Sequence, residues 1–405
     1  MSEWHSKTIG DLVLLQRGID LPEVERKRGR VPIMGSFGIT GWHNEAACKG
    51  PGVTVGRSGA SAGVVTYVAE NYWPLNTCLY VRDFKGNHPR FAYYLLKTFD
   101  LARLNSGSAQ PSLNRNFVHP VPARFPDPPE QEAVASILGA LDDKIDLNRC
   151  MNETLDAMAR ALFKNWFVDF GPTRAKIEAR APYLAPELWG LFPDRFDDEE
   201  KPKGWRHYRL EEIVTHSKET LSPSDFPTEV FEHYSLPAFD AGKSPALDLG
   251  STIKSNKTVV PRNSVLLSKL NPEISRVWLP DQKENRTQVT STEFLAFEPK
   301  GLAGRSFVYC VLTNPVFQLM LEGMVTGTSR SHQRVSPPAL LSSEVVTAEP
   351  RLIAAIEHLV APLLGQQLAN RSQSRTLAKL RDLLLPKLMS GEIRVKDAEK
   401  IAAAA

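Results

Sequence analysis

The sequence predicts a mixed α/β protein, α+β in character, in which two similar globular modules are each followed by a long helix. Three observations lead there. The same order of features runs through the chain twice; each pass holds short β-like runs and turns with a few short helices; and each pass closes on an extended heptad pattern. The length, 405 residues, suits two or three domains.

The duplication can be followed pair by pair. WHSKTIGDLV at Trp4 returns as WRHYRLEEIV at Trp205, an offset of 201. LNTCLYVRDFKG (Leu75–Gly86) returns as TSTEFLAFEPKG (Thr290–Gly301), an offset of 215. FAYYLL at Phe91 and FVYCVL at Phe307 lie 216 apart, and NSGSAQPSLN at Asn105 is echoed by VTGTSRSHQR at Val325. NRCMNETL at Asn148 and NRSQSRTL at Asn370 lie 222 apart. The drifting offset implies small insertions in the second copy. Within each module, Gly52–Val68 and Asn263–Pro280 both read as two apolar-rich runs joined by a polar turn, a hairpin signature. A short helix is expected over Arg90–Leu101.

The long helix of the first copy is expected over Glu130–Phe167. Its 38 residues would span roughly 57 Å at about 1.5 Å per residue. Val134, Leu138, Leu141, Ile145, Asn148, Asn152, Leu155, Ala159, Leu162 and Trp166 follow in steps of four and three, a heptad seam. Shifting that seam by 222 gives Ile356, Val360, Leu363, Gln367, Asn370, Ser374, Leu377, Arg381, Leu384 and Leu388. Amides stand at the middle of both seams. If the helices pair antiparallel, Asn148 and Asn152 meet Gln367 and Asn370, and buried amides fix register and orientation. The bland alternative is that these side chains face solvent where the seam frays. Pro362 and Pro386 are expected to delay or kink the second helix and to stop it early. The expected organisation is a first module over 1–126, a long helix over 127–170, a linker over 171–202, a second module over 203–345, a second helix over 346–395 and a tail over 396–405.

Bulk numbers bound the function. Hydrophobic content of 42% and charged content of 23% describe an ordinary globular chain. The net charge is only +3, but residues 1–126 carry 15 Lys/Arg against 9 Asp/Glu, whereas 203–345 carry 16 against 15. A basic face is therefore expected on the first module. The four cysteines are scattered, which disfavours a zinc site or a disulfide framework and fits a reducing, cytoplasmic setting. The N-terminus lacks a signal-peptide design, and no apolar run approaches a membrane span, so no membrane partner is expected.

Motifs of catalysis are missing by inspection: no GxxxxGK[ST] loop, no GxSxG elbow, no HExxH and no paired-cysteine metal signature. No metal or cofactor is expected on this chain. GRSGASAG (Gly56–Gly63) could cradle a phosphate but lacks the lysine and the strand-to-helix setting, so a tight hairpin is the better reading. DPPE at Asp127–Glu130 resembles the DPPY loop of amino-methyltransferases, but that loop needs an aromatic at its fourth position. Here the residue is Glu130, and the stretch reads as a helix start.

The stretch Pro128–Phe170 with its FKNWFVDF ending, GWRHYRLEEIV opening the second copy, and LRDLLLPKLMSGEIRV (Leu380–Val395) together resemble the specificity subunit of Type I restriction–modification systems. The resemblance covers the chain to about Val395. It implies two target recognition domains joined by two antiparallel helices in a pseudo-twofold arrangement, each domain reading one half of a bipartite, asymmetric site in double-stranded DNA. It implies helices that space the half-sites and dock two adenine methyltransferase subunits, with S-adenosylmethionine bound on those partners, and a restriction/motor subunit that joins for cleavage. It implies that this chain is not itself an enzyme. Half-sites one turn apart lie about 34 Å centre to centre, a span such a helix can bridge.

Reading bases requires amides and guanidinium groups at groove edges, and holding phosphates requires Lys, Arg and hydroxyls. The loops that offer them in the first module are GRSGAS (Arg57, Ser58, Ser61) and SGSAQPSLNRN (Ser106, Ser108, Gln110, Asn114, Arg115, Asn116). In the second module they are SKLNPE (Ser268, Lys269, Asn271) and TGTSRSHQR (Thr326, Thr328, Ser329, Arg330, His332, Gln333, Arg334), with the Arg330–Arg334 cluster the foremost candidate. The competing readings are a scaffold whose duplicated modules bind only proteins, and a stand-alone methyltransferase. Affinity for DNA that falls steeply with salt would discriminate against the first, and the missing cofactor loop argues against the second.

Overall fold

The computed structural model describes residues 4–104, 112–281, 286–326 and 333–403. The chain divides into two compact units, Met1–Leu147 with Gln373–Ala405, and Asn148–Ser372. The division falls inside the two long helices rather than at their ends. Each half-helix contributes buried side chains to the core of its own unit.

Unit 1 is built on an antiparallel sheet in the order Leu14–Arg17, Cys78–Asp83, Gly52–Gly56, Val65–Val68. A two-stranded ribbon pairs His5–Thr8 with Pro122–Phe125. Between His5–Thr8 and Leu14–Arg17 the chain makes one helical turn, Ile9–Leu12, held by a reciprocal capping box between Thr8 and Asp11. A second sheet holds Gly38–His43, Val31–Gly35 and Trp73–Pro74. The helix Pro89–Lys97 buries Phe91, Tyr94 and Leu95 on the first sheet.

Unit 2 repeats this frame. Its main sheet runs Val214–Ser217, Phe294–Pro299, Val265–Ser268, Val277–Trp278, again antiparallel throughout. Arg206–Arg209 pairs with Glu344–Ala348 as the matching ribbon, and the helix Arg305–Thr313 covers the sheet. The difference lies in the second sheet, which here has five strands. The unit 1 hairpin Val31–Gly35/Gly38–His43 becomes Val230–Tyr234/Ala246–Leu249, with a helical turn Leu236–Asp240 inserted and held by Arg276 on Asp240 at 2.8 Å.

The long helices are Pro128–Phe167 and Pro350–Ser390, 40 and 41 residues. DPPE opens the first one, Asp127 carbonyl accepting from the amides of Glu130 and Gln131. In unit 1, Leu138 and Leu141 share a core with Leu380, Leu384 and Leu388, and Arg381 donates to Asp142 at 2.7 Å. Asp142 also accepts from the buried Tyr94 hydroxyl at 2.6 Å. In unit 2, Ala159 and Phe163 share a core with Ile356 and Val360. Asn148 reaches the Asn370 carbonyl and Gln367 reaches that of Asn152, so numbers fall along one helix as they rise along the other. The two segments are antiparallel.

Three expectations change. The second helix runs unbroken through Pro362 and Pro386, neither starting late nor stopping early. An interior proline costs about 3 kcal/mol. Burial of Ile356, Val360 and Leu364 around one proline, and of Leu384 and Leu388 around the other, at about 1.5–3 kcal/mol each, outweighs it. The same helix is long and apolar enough, by length and composition, to cross a membrane, contrary to the reading that no stretch comes close. Its apolar side chains are instead divided between the two cores. The 171–202 segment, expected as a linker, is folded chain: Gly171–Ile177 and Pro186–Trp189 are helical, and Phe192 is buried edge-on against Trp166 at 5.2 Å. Its acidic cluster is tied by Lys201 to Asp197 and Glu199.

Candidate nucleic-acid interface

In unit 1 the buried strand Gly52–Gly56 delivers the first candidate loop. Gly56 has no room for a side chain: a Cβ would stand 2.1 Å from the Ser61 carbonyl oxygen and 2.4 Å from that of Ser36. The chain therefore turns sharply outward, makes a short helical turn at Gly59–Ser61, and returns as Val65–Val68. Arg57 is anchored by its amide on the Thr77 carbonyl at 3.0 Å and by its guanidinium on that of Asn76 at 3.4 Å. The second candidate loop meets it there. Leu113 donates to the Arg57 carbonyl at 2.7 Å, and Ser58 bridges Ser112. Asn114 caps the turn Arg115–Val118, its side chain accepting from the Asn116 amide at 3.0 Å. His119 Nε2, accepting from the Leu15 amide at 3.0 Å, pins that turn to the core. Burial first, and then Arg115, lower the His119 pKa, consistent with the unprotonated nitrogen this bond needs. Arg115 is exposed.

Unit 2 assembles its candidates in the same way. The buried strand Val265–Ser268 ends in Ser268, which folds its hydroxyl onto the Leu270 carbonyl at 3.1 Å. The Lys269 amide donates to Glu293, and Val335 donates to the Lys269 carbonyl at 3.0 Å. Asn271, in the left-handed region at φ +49, donates to Gln333 at 2.9 Å. Arg57, Thr77 and Leu113 in unit 1 thus correspond to Lys269, Glu293 and Val335 in unit 2. The exchange of Thr77 for Glu293 matters, because Glu293 takes a forked pair of bonds from Arg334 at 3.1 and 2.8 Å. That fork, then the Glu293 charge, raises the Arg334 pKa. Ser106, Ser108, Gln110, Thr328, Ser329, Arg330 and His332 lie outside the described residues.

A further group escaped sequence reading. The tip of the 31–43 hairpin, Ser36–Phe37, abuts the Gly56 turn, with the Ser36 hydroxyl donating to the same Thr77 carbonyl that holds Arg57. Phe37 is 79% exposed, beside the loop pair. The signal was a GSFG turn with an aromatic at its tip, where no core would claim it.

The helix amides form one connected cluster in unit 2. Asn148 is fully buried, Gln367 and Asn370 nearly so. Asn370 Nδ2 donates to Asn152 Oδ1 at 3.0 Å, Gln367 Nε2 to the Asn152 carbonyl at 3.0 Å, and Asn148 Nδ2 to the Asn370 carbonyl at 3.4 Å. All four candidate register residues are brought together.

Known proteins share this arrangement. The family described as the Type I restriction modification DNA specificity domain matches residues 1–157. The specificity subunit of the Type I restriction enzyme MjaIX from Methanocaldococcus jannaschii is 29% identical over 360 residues, which is 83% of this chain and 77% of that one. The HindI specificity subunit of Haemophilus influenzae is 24% identical over 75% of this chain and 77% of its own. The crystal structure of a Type I S subunit from M. genitalium has the same fold, with a TM-score of 0.60 at 16% identity over 96% of both chains. With the duplicated frame and the long paired helices, the chain is similar to the specificity subunits of Type I restriction enzymes along most of its length, and it has the fold of the M. genitalium S subunit.

Proposed function

We propose that this chain is the DNA-recognition component of a Type I complex, in which each unit reads one half of a bipartite, asymmetric site. The observation that carries the reading is the repeated joining of two polar loops at the end of the same buried strand. Leu113 bonds Arg57 in one unit and Val335 bonds Lys269 in the other. A module that merely bound protein would not need two separate turns stitched at one rigid strand end, displaying amides, hydroxyls and cations together. That set is what groove edges and phosphates call for. Arg57, Ser58, Asn114 and Arg115 are assigned to the first half-site, and Lys269, Asn271, Gln333 and Arg334, with Ser108, Gln110, Ser329, Arg330 and His332 in the adjoining segments, to the remainder of the two surfaces. The helices space the units and dock two adenine methyltransferase subunits, which hold S-adenosylmethionine; a restriction/motor subunit completes the assembly, acting in the cytoplasm.

Mapping methylated adenines in host DNA, with and without this chain, tests the reading. A bipartite methylated sequence should vanish with the chain. Arg330→Ala combined with Arg334→Ala should degrade one half-site only. Methylation indifferent to the chain, or equal loss at both halves, overturns it.

A further inference from the structure

Unit 1 carries a second cationic surface that neither candidate loop includes. The run Glu25–Arg30, ERKRGR, places Arg26, Lys27, Arg28 and Arg30 within five residues. Lys27, Arg28 and Arg30 are exposed. Their backbone is nonetheless held in place. The Lys27 amide donates to His43 Nδ1 at 3.0 Å, and His43 is buried edge-on against Trp73 at 5.4 Å. Arg26 Nε reaches the Leu21 carbonyl at 3.4 Å. Gly29 passes so close to His43 that a Cβ would stand 2.1 Å from the His43 carbonyl oxygen, so glycine is required there. The basic run is therefore a fixed ledge along the base of the 31–43 hairpin.

The hairpin relates the ledge to the reading loops. Its tip, Ser36–Phe37, touches the Gly56 turn, and its strand Gly38–His43 leads back to the ledge. At about 3.3 Å per residue, that strand sets the ledge roughly 17 Å from the tip. The major groove is about 12 Å wide. Loops placed over base edges would thus leave the ledge beyond the groove wall, over the sugar–phosphate backbone. Between them the strand exposes Trp42, 51% accessible, and Thr40. Unit 2 has no such ledge at the corresponding place: the segment before its matching strand, SPSDFPTE, carries Asp225 and Glu229 and no cation.

We propose that Lys27, Arg28 and Arg30 form a sequence-independent phosphate grip in unit 1, so that the two half-sites are held unequally: the first by reading loops and backbone clamp, the second by its loops without this clamp. This rests on the DNA-reading function proposed above. Three phosphate contacts would contribute about 2.7 to the slope of log affinity against log salt, at about 0.9 per contact.

The full-length chain with its companion subunits would be titrated against two duplexes across a KCl series. One duplex carries the mapped bipartite site; the other has both halves scrambled. The triple variant Lys27→Gln, Arg28→Gln, Arg30→Gln should lower the slope by about 2.7 on both duplexes and leave their affinity ratio unchanged. The double variant Arg28→Gln, Arg30→Gln should give about two-thirds of that drop. An unchanged slope overturns the grip while leaving the reading loops standing. So does a slope unchanged on DNA but weakened binding of the companion subunits, which would make the ledge a protein-docking surface. A wild-type chain that shows no preference between the duplexes overturns the parent function instead.

Discussion

Truncating Asn370 to alanine tests whether the amide cluster holds the helices together. Asn370 is 4% exposed and gives two side-chain bonds: its Nδ2 donates to Asn152 Oδ1 at 3.0 Å, and its Oδ1 accepts from Gln366 Nε2 at 2.8 Å. Each bond contributes about 1 kcal/mol net. The two orphaned partners are not equal. Gln366 is exposed, so water replaces the lost acceptor, whereas Asn152 is half-buried and pays part of the desolvation cost of about 1–3 kcal/mol. Alanine regains about 0.6 kcal/mol of helix propensity. The expected net loss is about 2 kcal/mol. Asn152→Ala should cost a similar amount, and the double variant should cost less than the sum by about 1 kcal/mol, since the shared bond is lost only once. Urea unfolding of the four proteins, followed by far-ultraviolet circular dichroism, measures all of this. Strictly additive losses, or a more stable Asn370→Ala, would refute the cluster. Replacing both asparagines by leucine should recover stability while loosening register, because apolar packing does not care which turn faces which.

Gly56→Ala should destabilise unit 1 by more than 2 kcal/mol and weaken DNA binding, because a Cβ would meet two carbonyl oxygens of the loop and the hairpin tip; wild-type stability and affinity in the variant would show the turn to be slack. Lys243, whose pKa burial, then Arg371, pushes down to about 8, makes unit 2 pH-dependent. Its folded value lies below the unfolded value of about 10.4, so the unfolded state binds more protons between those values and stability rises with pH from about 8 to about 10. Below pH 8 the full burial cost, up to about 3 kcal/mol, is present. Lys243→Met should raise the urea midpoint at neutral pH and flatten the rise; an unchanged profile refutes the burial argument.

What was legible in the sequence followed from periodicity and order. The heptad steps from Val134 to Trp166 are a one-dimensional record of a buried stripe, and none of those positions is exposed. The hairpins at Gly52–Val68 and Asn263–Pro280 announced themselves by apolar runs around turn residues. What failed to show depended on partners distant along the chain. Arg334 read as a bare cation because Glu293, 41 residues away, is not visible as its partner until the strands align. The proline-rich 171–202 segment read as a linker because its anchors, Phe192 and Trp205, are single aromatics without a period. The prolines at 362 and 386 misled for the same reason: local propensity is known from sequence, while the burial that overrides it is not.

The two units also show where a duplicated module is free to change. The main sheet, its strand order and the ribbon closing it are common to both, and so is the bond from the second loop to the first. The central strands Gly52–Gly56 and Val265–Ser268 are buried along their whole length, and a change in either disturbs packing on several sides. Beyond the ends of Gly52–Gly56 and Val265–Ser268 the constraint stops. There the described residues of the two units differ: Arg57 against Lys269, Thr77 against Glu293, and a two-residue hairpin tip against a helical excursion stapled by Arg276. The second sheet differs too, three strands against five. Such changes alter which polar groups are displayed without altering what the main core buries. The amides pairing the helices lie far along the chain from those loops, in a separate hydrogen-bonded cluster. A candidate loop can therefore be exchanged for another while the frame that presents it, and the helix register that would set the spacing, stay as they are.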